Sequence, residues 1–378
     1  MMKRVIFGGS FDPLTKAHYD MGEKLSRRFD EVIVVPAYVS PFKIGEMELT
    51  GDERLELVRR GFSGLKNVVV SDAELKAEGT SYSYITAERF SGEGIDLYFA
   101  IGSDGLGTLG NWSHPEVLAR LVTFYVVERP YFPIKEDELA AARKIYRVEV
   151  CPERGEEGSS SLLKVAVAFG KEREVVPGFV ADYIDKRGLY RDYRFITDRY
   201  AEFGMKKSRV EHVYRVAKAA IILAKKNGAN VNKTIVASLL HDITKYADEE
   251  MLNRYGVRSD EKTLAFPPQV RHQRTGAAIA KAAFGITDPD ILSAIETHTT
   301  GEANMNVYQK IVFAADYIED GRSFDGIEKI RALTYNDLDR GVIAILENTI
   351  NYLEKSGEPI APETAKALSF MKKGENNG

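Results

Sequence analysis

At 378 residues the chain exceeds the length at which a single hydrophobic core stops growing, roughly 250–300 residues, so two domains are expected. A hydrophobic fraction of 44% and a charged fraction of 29% are those of a soluble globular protein, and a net charge of −4 argues against a nucleic-acid groove, which needs clustered excess Lys and Arg. With no apolar run long enough for a membrane span or signal peptide, and with Cys151 as the single cysteine, there is no internal disulfide and no thiolate metal cage; the expected compartment is the cytoplasm.

In chain order, short β-branched or aromatic runs come first. Residues 5–7, 32–35, 68–70, 97–101 and 124–127 read as strands, with 147–150 a further candidate. Segments such as 17–28 and 52–61 read as helices between them. Strands that are apolar throughout and alternate with helices imply a parallel sheet covered on both faces. That is a doubly wound α/β domain, whose ligands bind at the carboxyl ends of the strands.

After residue 190 the pattern turns helical, with candidates at 210–227, 232–246, 275–284, 307–319 and 338–354, and another opened by Asp288-Pro289, an N-cap followed by proline at the first helical position. The expected division is a first domain over 1–195, a linker over 196–207 and an all-α bundle over 208–372. The Glu/Asn/Gly-rich tail beyond Lys372 is expected to be disordered.

The first strand runs into Gly8-Gly9-Ser10-Phe11-Asp12-Pro13-Leu14-Thr15-Lys16-Ala17-His18. Two glycines at a strand end let backbone amides approach phosphate oxygens, and the following helix N-terminus favours negative charge. This string resembles the nucleotidyltransferase signature, in which a Gly-Gly-Thr/Ser-Phe-Asp-Pro turn precedes a His/Thr-x-Gly-His pair. Here Thr15 and His18 take the paired positions and Ala17 stands where that family has glycine.

The resemblance implies that Gly8, Gly9, Ser10, Phe11 and His18 hold ATP with its Mg2+ while an acceptor phosphate attacks the α-phosphorus. Gly158-Ser159-Ser160-Ser161-Leu162-Leu163-Lys164 is similar to the superfamily's second phosphate motif, implying that Ser159, Ser160, Ser161 and Lys164 meet the β- and γ-phosphates. The implied catalytic residues are Thr15, His18 and Lys164.

Further strings resemble nicotinate-nucleotide adenylyltransferases: Pro41-Phe42-Lys43, Glu74-Leu75-Lys76 with Ser81-Tyr82-Ser83, and Ile101-Gly102-Ser103-Asp104 with Trp112. They imply nicotinate mononucleotide as acceptor. Trp112 would stack on the pyridine ring, Lys43, Ser81, Tyr82 and Ser83 would line its site, and Gly102 and Asp104 would sit near the nucleotide. Pantetheine phosphate and nicotinamide mononucleotide are alternative acceptors, because Thr15 and the triple serine also look like the sister family that uses pantetheine phosphate.

Of six histidines, four fall in the helical half: His212, His241 beside Asp242, His272 and His298, followed by Asp316. Imidazoles and carboxylates suit divalent iron, manganese or zinc. Helices that each project one or two such ligands inward can hold two metals and a phosphate.

The order of these residues resembles the HD phosphohydrolases. The contexts around His241-Asp242, Glu296-Thr297-His298 and Asp316-Tyr317-Ile318-Glu319 resemble the bacterial symmetrical diadenosine tetraphosphatases. What the resemblance implies is a di-iron site (or manganese or another divalent metal) on His212, His241, Asp242, His272, His298 and Asp316, with Asp242 catalytic and Lys245 and Arg322 on phosphate. The implied reaction cleaves diadenosine tetraphosphate to two ADP. A binding-only nucleotide sensor is the alternative, and a homo-oligomer is compatible with either.

Overall fold

The computed structural model describes residues 1–39 and 47–375. They form two compact units, Met1–Leu163 with Lys171–Tyr190, and Lys164–Gly170 with Arg191–Gly378.

The first unit is built on one parallel sheet. Its strands among the described residues are β1 (Met2–Gly9), β2 (Glu31–Pro36), β3 (Val68–Val70), β4 (Ile95–Gly102), β5 (Thr123–Val127) and β6 (Arg147–Val150), in the spatial order β3-β2-β1-β4-β5-β6. All six segments read as strands are strands. The inner strands are covered on both faces, as parallel strands are: Val5, Ile6, Val32, Val34, Phe124 and Val126 are all fully buried, whereas the edge strands β3 and β6 are partly exposed. Strand order reverses between β1 and β4, and in such sheets the crevice at that reversal, beyond the carboxyl ends of the strands, is where ligands bind.

Two helices anchor the β1 side. The Lys16–Ser26 helix follows β1 and is capped by Thr15, and the Gly51–Phe62 helix is opened by a Thr50–Glu53 capping box. Arg54 of the latter is 1% exposed and donates to the carbonyls of Ser10 (2.7 Å), Ala37 (2.6 Å) and Tyr38 (3.3 Å), so one buried guanidinium holds together the loops that leave β1 and β2.

The second unit, among its described residues, is helical and contains no strand. Its main helices are Lys207–Lys226, Val231–Leu240, His272–Phe284, Pro289–Thr297, Val307–Ile318, Ile327–Asn336, Leu338–Ser356 and Pro362–Glu375. The helix expected over 232–246 stops at Leu240, and residues 241–246 form turns. The last helix continues past Lys372 to Glu375; residues 376–378 lie outside the described residues.

The segment read as a linker is packed instead. Ile196, Tyr200, Phe203 and Met205 are buried, Tyr200 Oη donates to Leu239 O (2.8 Å), and Tyr193 Oη donates to Asn232 Oδ1 (2.9 Å). Phe169 packs on Tyr200 and Tyr214. Burying these aromatic rings is what attaches residues 164–170 and 191–207 to the helical unit, so the division falls at Tyr190 and Arg191.

Candidate active sites

In the first unit a cavity of about 520 Å³ opens where β1 and β4 end. Gly8, Gly9, Ser10, His18, Gly102, Asp104, Ser81, Tyr82, Ser83 and Trp112 all line it, so residues far apart in sequence meet in one place. Arg129 lines it too, and sequence reasoning missed it. Its Nη1 lies 3.3 Å from Asp104 Oδ2 and its backbone N–H donates to Ser103 Oγ (2.9 Å). The available signal was position: Arg129 lies just past the end of β5, at the carboxyl edge of the sheet.

His18 is held by Thr15. The Thr15 backbone N–H donates to His18 Nδ1 (3.1 Å), Thr15 Oγ1 lies 3.0 Å from the same nitrogen, and the His18 backbone N–H donates to Thr15 Oγ1 (3.3 Å). A nitrogen that accepts from a backbone amide carries no proton, so the neutral ring keeps its proton on Nε2, leaving that atom as a donor. Thr15 itself is 1% exposed and is not among the cavity-lining residues. Its contacts orient the histidine.

Phe11 also lies behind the surface. It is fully buried at φ 47, in the left-handed region, with its ring 4.9 Å from that of His18. A β-carbon at Gly9 would come within 3.3 Å of that ring, so the glycine is needed for packing as well as for ligand approach.

The triple serine lies against the same turn: Ser160 Oγ donates to Asp12 O (3.1 Å), and the Leu162 N–H donates to Ser159 Oγ (3.3 Å). None of Ser159, Ser160 and Ser161 lines the cavity. Lys164 belongs to the helical unit and pairs with Asp192 there, Nζ to Oδ1 at 2.8 Å.

The Ala17 substitution has a local answer. A β-carbon placed on Gly158 would lie 2.7 Å from Ala17 Cβ and 3.2 Å from Thr15 Oγ1, so the methyl group at 17 fills the space that a side chain at 158 would take. Gly158→Ala is therefore expected to displace Thr15 and His18 and to cut turnover at this site by about 10–100-fold, since a misplacement of 1 Å can cost that much. Adding Ala17→Gly should restore most of the activity, and kinetics on the single and double variants check both.

The opposite wall is formed by Glu74, the start of a helix and Trp112. The Ser83–Phe90 helix begins beside the cavity, and its N-cap Tyr82 supplies no side-chain hydrogen bond to the first-turn amides. Ser81 Oγ accepts from the Tyr38 N–H (2.9 Å) and braces the wall. Burial raises the pKa of Glu74 beside it, although Thr86 Oγ1 donates to that carboxyl at 2.5 Å. Trp112 stands edge-on to Phe99 and Phe124, with ring centroids 5.7 and 5.6 Å away, and these contacts fix its plane. Lys43 lies outside the described residues.

In the helical unit five segments converge. His212 projects from the Lys207–Lys226 helix, His241 and His298 cap the ends of two helices, His272 begins another, and Asp316 lies near the end of the Val307–Ile318 helix. Asp242 is at the centre. Its Oδ2 lies 3.8 Å from His212 Nε2 and 3.4 Å from His241 Nε2, and its Oδ1 lies 3.1 Å from His272 Nε2 and 3.7 Å from His298 Nε2. Each carboxylate oxygen therefore faces its own pair of imidazoles. Asp316 Oδ1 closes the first pair, 2.9 Å from His212 Nε2.

The rings are turned to present lone pairs. The outer nitrogens of His241 and His298 donate to the carbonyls of Ser238 (2.6 Å) and Ile295 (2.8 Å), which are helix-end acceptors that would otherwise lack partners. The outer nitrogen of His212 donates to Glu319 Oε1 (3.1 Å). With protons outside, the Nε2 atoms inside are bases.

Among the described residues, the buried Nε2 atoms of His212 and His241 have no hydrogen-bond partner, and the carboxylate oxygens near them are acceptors too. His272 Nε2 and His298 Nε2 are 3.1 Å apart, a separation at which two imidazoles share a proton or a cation. Buried lone pairs without donors are costly. They fit divalent metal, and the residues group accordingly as His212, His241 and Asp316, and as His241, Asp242 and His298.

The electrostatics agree. Burial opposes ionisation of Asp242 and Asp316, yet the facing imidazoles hold both well below the usual carboxylate range. Burial, together with His298 and Lys245, lowers His272 to about 4, leaving it neutral and able to ligate at neutral pH. Arg322 Nη2 reaches Asp316 Oδ1 (3.3 Å), and Lys245 Nζ lies beside the His272 ring. Sequence reasoning missed Arg209, whose Nη1 donates to Asp242 Oδ2 (2.8 Å), and Glu319. Arg209 stands three residues before His212 on the same helix, and Glu319 three residues after Asp316 at the end of another, a spacing that could have found them.

A cytidylyltransferase-like family matches residues 6–164 and an HD-domain family matches residues 209–321. The chain is 40% identical over 159 residues to "Bis(5'-nucleosyl)-tetraphosphatase, symmetrical" of Halalkalibacterium halodurans, covering 41% of this chain and 84% of that protein. It is 30% identical over 325 residues to "Probable nicotinate-nucleotide adenylyltransferase/Ap4A hydrolase" of Mycoplasma genitalium, covering 85% of this chain and 88% of that one. A crystal structure of a "predicted HD superfamily hydrolase involved in NAD metabolism" from Clostridium acetobutylicum is similar over 48% of this chain and 97% of its own, at 31% identity and a TM-score of 0.44. With a cytidylyltransferase-like half, an HD half and a relative that spans both, the chain belongs to the nicotinate-nucleotide adenylyltransferase/Ap4A hydrolase family.

Proposed function

We propose that the chain is a bifunctional enzyme. The first unit transfers an adenylyl group from ATP to nicotinate mononucleotide, giving deamido-NAD and pyrophosphate. The second hydrolyses diadenosine tetraphosphate with one water to two ADP. The observation that carries the reading is that each unit holds a site of its own, made of chemically competent residues. Both substrates are small nucleotides, met in the cytoplasm.

In the first reaction the acceptor phosphate oxygen attacks the α-phosphorus, and the bond to the bridging oxygen breaks as pyrophosphate leaves. The Gly8-Gly9-Ser10 turn offers backbone amides to the phosphates, and His18 donates from Nε2 to the charge that builds on them. Trp112 orients the pyridine ring, and the uncapped amides of the Ser83–Phe90 helix receive its carboxylate. Mg2+ accompanies ATP and neutralises phosphate charge.

In the second reaction His212, His241, Asp242, His272, His298 and Asp316 would hold two divalent ions, a donor set of imidazoles and carboxylates that suits iron, manganese or zinc, and iron is the reading that the family resemblance supports. Bound there, such ions supply Lewis acidity and lower the pKa of water. Lys245 and Arg322 would receive phosphate oxygens, and Arg209 holds Asp242 with one carboxylate oxygen toward each pair of imidazoles.

The test is pyrophosphate release with Mg-ATP and, in parallel, nicotinate mononucleotide, nicotinamide mononucleotide or pantetheine phosphate, together with ADP formation from diadenosine tetraphosphate before and after chelation. Preference for nicotinate mononucleotide is expected, as is hydrolysis lost on chelation and restored by iron or manganese. Equal turnover of the three acceptors, or hydrolysis indifferent to chelator, would overturn the corresponding half.

A further inference from the structure

Three threonines surround His298, and their hydroxyls are used differently. Thr297 Oγ1 donates to Ser293 O within its own helix (2.9 Å), and Thr300, which is 2% exposed, donates from Oγ1 to Gly301 O (3.0 Å). Both are taken up by the backbone. Thr299 is only partly buried and turns toward the metal centre, with its Oγ1 3.4 Å from His272 Nε2. That nitrogen also lies 3.3 Å from Lys245 Nζ and 3.1 Å from Asp242 Oδ1, so a hydroxyl and an ammonium group flank one inward-facing imidazole atom.

The turn that presents Thr299 is held from the His272 helix. Gln273 is 1% exposed; its Oε1 accepts from the Thr299 N–H (3.1 Å) and the Thr300 N–H (3.2 Å), and its Nε2 donates to Thr300 Oγ1 (3.0 Å). One buried side-chain amide therefore satisfies two main-chain donors after His298 and fixes the backbone from which Thr299 projects. A phosphate oxygen drawn to Lys245 would come within reach of Thr299 Oγ1, because both groups border the same ring nitrogen. An ammonium group attracts a phosphate as a point charge with little preference for direction. A fixed hydroxyl adds a directed donor there without adding positive charge beside the metal ligands.

We propose that Thr299 is a further substrate-binding residue of the hydrolase site, donating its hydroxyl to the phosphate group that Lys245 neutralises, and that Gln273 is the positioning residue that aims it. The proposal rests on the metal-centre reading above, which gives Lys245 to phosphate.

The experiment measures, on the full-length chain, hydrolysis of diadenosine tetraphosphate, its inhibition by inorganic phosphate and calorimetric Mn2+ binding for Thr299→Val, Thr299→Ser and Gln273→Met, with thermal melting of each variant to establish that it is folded. Thr299→Val keeps the shape and loses the hydroxyl. It should lower kcat/KM and weaken phosphate inhibition by about 10–100-fold, the range for one hydrogen bond to a charged group, while Mn2+ affinity stays at the wild-type value. Thr299→Ser keeps the donor and should restore most of both. Gln273→Met should weaken phosphate inhibition in the wild-type background and add little in the Thr299→Val background, because residues that act through one contact are not additive. Phosphate inhibition at the wild-type level in Thr299→Val, or a loss that serine does not restore, would overturn the contact. Equal losses from Gln273→Met in the two backgrounds would overturn its positioning role. Hydrolysis by the wild type that survives chelation would instead remove the metal-centre reading itself.

Discussion

Asp242→Asn is expected to lower hydrolysis of diadenosine tetraphosphate by about 10³-fold or more while leaving pyrophosphate release by the first unit unchanged. The substitution preserves shape but replaces one carboxylate oxygen with an NH2 group. Either orientation of the amide turns that NH2 toward one of the two imidazole pairs, presenting a donor where a ligand oxygen stood. The lost charge also leaves Arg209, which donates to Oδ2 at 2.8 Å, without its anion. Removing one partner from a buried charge cluster typically costs about 3–5 kcal/mol, so the variant should also melt at lower temperature in its helical unit. Steady-state ADP formation together with Mn2+ stoichiometry checks the prediction. Hydrolysis within a few-fold of wild type would show that Asp242 does not bridge the two ligand sets.

What the sequence made legible were features written in local patterns. The apolar runs became strands because the inner part of a parallel sheet buries both faces, and the helical half announced itself by period and by capping residues such as Asp288-Pro289. The four histidines and two aspartates stood out because such residues are rarely concentrated without cause. Features that depend on three-dimensional partners were not legible. Thr15 and Phe11 belong to a ligand-binding string, yet both are buried supports for His18. Lys164 stood out by its phosphate motif, but its ion pair with Asp192 could not be read there. Ala17 could be judged only once Gly158 was placed opposite it. A linker was expected over 196–207, where the pattern changes from α/β to helical, but Ile196, Tyr200 and Phe203 are buried in the helical unit. In each case the missing information was which distant residue fills the neighbouring space.

His18→Ala is expected to reduce adenylyl transfer by about 10²–10³-fold, the usual cost of losing one preorganised donor to developing charge, with diadenosine tetraphosphate hydrolysis unaffected. Thr15 accounts for the size of the effect. Because its backbone N–H donates to Nδ1 and its hydroxyl lies 3.0 Å from the same atom, the ring needs no reorganisation to present Nε2–H toward the cavity. The alanine variant loses that donor and also the side-chain half of the capping box that opens the Lys16–Ser26 helix, so a modest fall in melting temperature of the first unit should accompany it. His18→Gln separates the two contributions, since its amide can supply a donor to the cavity but holds it less rigidly. Its turnover should lie between wild type and alanine. Thr15→Val, which keeps the backbone donor and removes the hydroxyl, should lower turnover less than either His18 substitution. Full activity in the alanine variant would remove His18 from the mechanism and leave the glycine turn and the bound magnesium to carry the phosphate charge.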